Sequence, residues 1–110
     1  MMKDGLWAVT FQVGDNVGSG VITKRDRSIS GGDAGFAYLG TVHAEGGGVV
    51  AHLNIWQHNP GYPNVFPGLT SFQLQLSGKQ VDEDSIVATG ETGSAPGFTA
   101  SIGLRFLVAV

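Results

Sequence analysis

His43, His52 and His58 are the side chains best suited to metal binding or to acid–base work near neutral pH. Their separations of nine and six residues match no local metal-ligand spacing. Only a hairpin centred on Gly47-Gly48 would bring two of them together, setting His43 across from His52; a register two residues away leaves them diagonal on one face. No serine sits in a Gly-x-Ser-x-Gly elbow, and zero cysteines leave no thiolate nucleophile, disulfide or cysteine-based zinc site. No catalytic group, metal or cofactor is expected. Gly31-Gly32-Asp33 could form a small anion nest, yet with no helix after it the stretch reads as a turn in which Asp33 caps its own backbone. Lys24-Arg25-Asp26-Arg27 and Asp82-Glu83-Asp84, the densest charged stretches, read as solvated turns.

The elements that would position these residues are strands. Trp7, Val9, Phe11 and Val13 share one face of Gly5 to Val13, an alternation that marks a half-buried strand. Beyond Gly14-Asp15-Asn16, Val17 to Thr23 forms a second strand thinned by Gly18 and Gly20, and Ser28 to Ser30 a short third. Gly31-Gly32-Asp33 is expected to reverse the chain with positive-φ and Asx-turn chemistry. Phe36 to His43 then puts Phe36, Tyr38 and Val42 on one face, and Val49 to His58 is the fifth strand. Three prolines between His58 and Gly68 exclude an interior strand, so this segment must cross an end of the domain. Phe72, Leu74 and Leu76 mark the sixth strand, Ser85 to Glu91 the seventh, and Phe98 to Val108 the eighth, with Phe98, Ala100, Ile102, Leu104, Phe106 and Val108 on its apolar face.

No stretch carries a capped 3.6-residue period. Eight strands joined mostly by short turns, with no helix to cover a flat sheet, hide their edges best by closing. The expected fold is all-β, an eight-stranded antiparallel up-and-down barrel; a β-sandwich is the alternative. Residues 1–110 suit one domain, because two cores would each be too small. A net charge of −3 and only six Lys plus Arg argue against direct nucleic-acid binding, which rests on clustered cations. No apolar run approaches a membrane span and the first residues lack a signal-peptide core, so a cytoplasmic location is expected. The apolar Leu107-Val108-Ala109-Val110 at the end of the last strand is expected to pack in a dimer.

Two resemblances add to this reading. Gly5-Leu6-Trp7 resembles the Gly-x-Trp near the start of lipocalins, which implies that Trp7 closes one barrel end and that Arg105, on the final strand, stacks over its indole. Met2-Lys3-Asp4-Gly5, Gly18-x-Gly20-Val21, Ile29-Ser30-Gly31-Gly32-Asp33, Tyr38-x-Gly40 and the His52-containing fifth strand together resemble the GrlR-type negative regulators of type III secretion. That resemblance covers most of the chain. It implies a homodimeric, lipocalin-like barrel that acts without catalysis by holding a transcriptional activator. In that family an acidic run between strands four and five is implicated in partner binding; here the hairpin reads Glu45-Gly46-Gly47-Gly48. Glu45, with Asp82, Glu83 and Asp84, is what remains for such a contact. The lipocalin likeness implies a second function, carriage of a small apolar ligand in an interior lined by Trp7, Phe11, Tyr38, Phe72 and Phe106.

Overall fold

The computed structural model describes residues 2–110. Its eight strands, β1 (Gly5–Val13), β2 (Asn16–Arg25), β3 (Ser28–Gly32), β4 (Phe36–Glu45), β5 (Gly48–Gln57), β6 (Ser71–Asp82), β7 (Ser85–Glu91) and β8 (Thr99–Val108), follow one another around a closed barrel. Every neighbouring pair is antiparallel, and β1 meets β8 from Trp7↔Phe106 to Gln12↔Ser101, so the first and last strands pair with each other. Closure follows from the alternation: each strand has one apolar face, and a cylinder turns all eight inward at once.

Two turns are set by glycine. Gly14 has φ 58° at the first central position of the β1–β2 hairpin, and Gly46 and Gly47 have φ 57° and 81° in the β4–β5 hairpin, the two-positive-φ requirement of a type I′ turn. The second turn is therefore centred one residue before Gly47-Gly48, with Glu45 opposite Gly48. His52 consequently lies across from Thr41 and His43 across from Val50, which leaves the two histidines diagonal on the outer wall.

The structure corrects the expectation for Gly31-Gly32. Both lie inside β3, and neither has positive φ. They are glycines because strands approach too closely for a side chain: a Cβ on Gly31 would lie 2.1 Å from the Val21 carbonyl oxygen, and one on Gly32 2.6 Å from that of Phe36. The reversal comes one residue later, where Asp33 Oδ1 accepts hydrogen bonds from Gly35 N at 2.9 Å and Phe36 N at 2.8 Å. The ends of several strands also differ from expectation: β3 reaches Gly32, β6 reaches Asp82, and Phe98 stands outside β8 and is half exposed.

The proline-rich segment between β5 and β6 crosses one end of the barrel as a strap. Phe66 inserts into the core at 2% exposure and meets Phe72 edge-on, with ring centroids 5.5 Å apart. His58 N donates to Gly35 O at 2.8 Å, and Asn16 Nδ2 donates to Val65 O at 3.2 Å, so the strap is tied to the β3–β4 turn and to β2.

Gly31→Ala pushes a methyl into backbone that cannot yield without moving β2. It is expected to cost about 1–3 kcal/mol, a fall of several degrees in Tm. Gly93→Ala, which meets nothing within 4 Å, serves as the near-neutral control in the same thermal melts.

Candidate binding cavity

The inner wall mixes very large and very small side chains. Val9 and Phe11 on β1, Phe36, Tyr38 and Val42 on β4, Leu53 and Ile55 on β5 and Phe72 and Leu74 on β6 point inward. Around them lie Gly18 on β2, Ala51 on β5, Ala88 on β7 and Ala100 on β8, which cannot fill the remaining space. The Phe11 ring lies over Gly18, where a Cβ would come within 2.3 Å of it, and meets Tyr38 edge-on at 6.5 Å. The result is a predominantly apolar cavity of about 270 Å³. An apolar cavity of about 150 Å³ holds one benzene, so this one has room for about ten non-hydrogen atoms.

The end nearer the chain's N-terminus is sealed. Trp7 is fully buried, its Nε1 donates to Lys3 O at 2.9 Å, and Phe106 packs edge-on against it at 5.4 Å. The expected cover of Trp7 by Arg105 is not what the structure contains. Arg105 pairs with Ala8, one residue out of phase with Trp7↔Phe106, and its side chain is exposed on the outer wall. The cation at this end is Lys3, whose Nζ stands 4.3 Å from the Phe106 ring centroid and 2.5 Å from Asp84. Lys24, expected in a solvated turn, is instead buried at 7% exposure on the inward face of β2, with its ammonium 2.6 Å from Asp4. The Lys24 hydrogen bond, helped by Asp26 N, holds the Asp4 carboxyl below its ordinary value.

The aromatic side chains expected in a ligand site are therefore divided. Phe11, Tyr38 and Phe72 line the cavity, while Trp7 and Phe106 form the seal at its end. The acidic residues expected at a partner surface lie at the same sealed end, on the β4–β5 and β6–β7 turns, which the β5–β6 pairing brings side by side. Asp84 pairs with the Lys3 ammonium, and Glu45 meets His43 Nε2 at 3.2 Å. Asp82 Oδ1 caps Asp84 N at 2.8 Å. His52 faces outward on β5 and His58 Nε2 donates to the Asp33 carbonyl at 2.9 Å; among the described residues no three His, Asp or Glu side chains converge as a metal-ligand set.

The strap end is where the cavity reaches the surface. β3 is half the length of β2 and pairs only with Val21–Arg25, so Asn16–Gly20 has no β3 partner. Val17 and Ser19 of that stretch, Asp33 to Gly35 of the β3–β4 turn, and Tyr62 and Pro63 of the strap surround the opening. Asp33 Oδ2 accepts a hydrogen bond from the Tyr38 hydroxyl. Burial, reinforced by Asp33, pushes the Tyr38 hydroxyl far above the ordinary tyrosine range. The sequence alone does not show the Asp33–Tyr38 pair or the Asp4–Lys24 pair; the inward position of Tyr38 is legible, but its hydroxyl's partner depends on how the β3–β4 turn folds back over the start of β4.

Against known proteins, the chain matches no protein-family model and no curated protein.

A raised folded-state pKa makes protonated Tyr38 stabilising below the unfolded value of about 10, and this contribution is lost as pH rises above it. In a Tyr62→Phe background, the phenolate absorption of Tyr38 is expected to appear only together with loss of the folded circular-dichroism signal. A phenolate band rising while that signal persists contradicts the assignment.

Proposed function

We propose that the protein is a non-catalytic binding module that takes one small apolar ligand inside its barrel. The observation that carries this reading is the cavity of about 270 Å³, apolar along its length, sealed at the Trp7 end and open beside the strap. Desolvating an apolar molecule there gains about 25 cal/mol per Å² of surface removed from water, and a pre-formed cavity adds little ordering cost. Ala51 is almost fully buried in the lining, so a larger side chain there takes up ligand volume without adding charge. Ala51→Leu is expected to weaken binding of a ten-carbon alcohol at least tenfold by calorimetry while leaving the fold intact. Unchanged affinity in that variant removes the interior as the site.

A second reading, regulation through protein contact, is supported by a different feature. The outward positions of β2 to β5 between the two ends carry Ser, Thr, Gly, Ala, Asn and His, with Val21, Leu39 and Trp56 each 40–52% exposed among them and no charged residue. Ala37 joins Trp56 to Gly32, and Gly32 joins Val21, so the apolar side chains share one side of the wall. Such a surface suits a protein partner, as the resemblance to GrlR-type regulators implies: a homodimer in the cytoplasm that sequesters a transcriptional activator. Light scattering at twice the 11.4 kDa chain mass, reduced to the single mass by Leu39→Lys, is the outcome this reading expects.

A further inference from the structure

We infer that the cavity selects an apolar ligand bearing a hydrogen-bond-donating cationic head, a primary alkylamine in chemical class, with the ammonium at Asp33 and the alkyl chain in the barrel. The inference rests on the cavity reading above and specifies its ligand. Asp33 is the one charged residue in a lining otherwise made of apolar side chains with a few neutral polar ones. Its position at the opening fits a ligand that enters tail first. The carboxylate is held rather than free to swing: Oδ1 takes Gly35 N and Phe36 N, and Oδ2 takes the Tyr38 hydroxyl. A carboxylate has about four acceptor positions, so these three donors leave one open on Oδ2.

No cation of the described protein fills that position. The lysine ion pairs are Lys3–Asp84 and Lys24–Asp4, and the Glu45 carboxylate meets His43; all lie toward the sealed end. His58, the basic side chain beside the turn, is engaged with the Asp33 main-chain carbonyl and not with its carboxylate. A fixed carboxylate with one vacant acceptor, next to an apolar interior, favours an ammonium by a charge-assisted hydrogen bond. The same charge disfavours a fatty acid, whose head would bring a second carboxylate to the opening. The missing β3 partner along Asn16–Gly20 provides the way in, because the wall there lacks a strand and not merely a side chain. At about ten non-hydrogen atoms of capacity, a chain of eight to ten carbons fits.

The test compares decylamine, decanol and decanoate, each below its aggregation concentration, by titration calorimetry near neutral pH. Decylamine is expected to bind at least tenfold tighter than decanol, and decanoate weakest. Asp33→Asn keeps an oxygen for the turn amides and is expected to erase the amine's advantage over decanol. Glu91→Gln, on the outer wall, is expected to leave the preference intact, which separates the site from general attraction to a chain of net charge −3. Equal affinity for amine and alcohol, preference for decanoate, or an amine preference that survives Asp33→Asn overturns the head-group assignment and leaves the cavity reading standing. Failure of all three compounds to bind overturns both.

Discussion

Pairing of β1 with β8 is the constraint on which the rest depends. Once the sheet closes, the circumference is fixed, and every inward side chain must share one enclosed volume. A sandwich could thin itself to suit small residues; a closed eight-stranded wall cannot. Alanines at 51, 88 and 100 and glycine at 18 therefore leave space that the aromatic residues of β1, β4 and β6 do not reach. The cavity is the arithmetic remainder of closure and composition, and it needs no special loop to create it. Keeping such a void costs dispersion contacts that a filled core would have, a cost offset where a ligand supplies them.

The two ends treat that volume differently. At the Trp7 end, Trp7 and Phe106 pack edge-on and Met2 is buried, while Lys3 and Lys24 neutralise Asp84 and Asp4 at the rim. Buried Lys24 would be costly without its carboxylate, so the pair serves to close this end with polar groups that are satisfied. At the other end a thirteen-residue span between β5 and β6 does the covering. The strap carries Phe66 inward, but its backbone bonds to β2 and the β3–β4 turn are few. Short β3 completes the asymmetry by leaving half of β2 unpaired on one side. Access and the single fixed carboxylate thus coincide at one place.

Much of the barrel was legible in the sequence because period-two alternation survives wherever one face is wet and the other dry. Trp7 to Val13, Phe36 to Val42 and Phe72 to Leu76 show this plainly, and the prolines at 60, 63 and 67 forced the strap out of the sheet. What could not be read was the reason for each glycine. Gly31 and Gly32 have the composition of a turn, yet they serve close strand approach, and only coordinates distinguish the two uses. Register within Glu45-Gly46-Gly47-Gly48 was similarly degenerate, since any two adjacent glycines can occupy the centre. Arg105 was displaced from Trp7 by a register that puts Phe106 across from it, an offset that a motif three residues long does not encode. The cavity itself was invisible to pattern, because a missing volume is a sum over eight strands.

In the proposed function the ligand sits inside the wall and not upon it. Isotope-filtered nuclear Overhauser measurements on methyl-labelled protein with unlabelled decylamine separate the two placements. Contacts from the ligand chain to the methyl groups of Ile22, Ile55 and Leu74, which line the interior, are the predicted result. Contacts confined to Val21, Leu39 and the other outward methyl groups would contradict it.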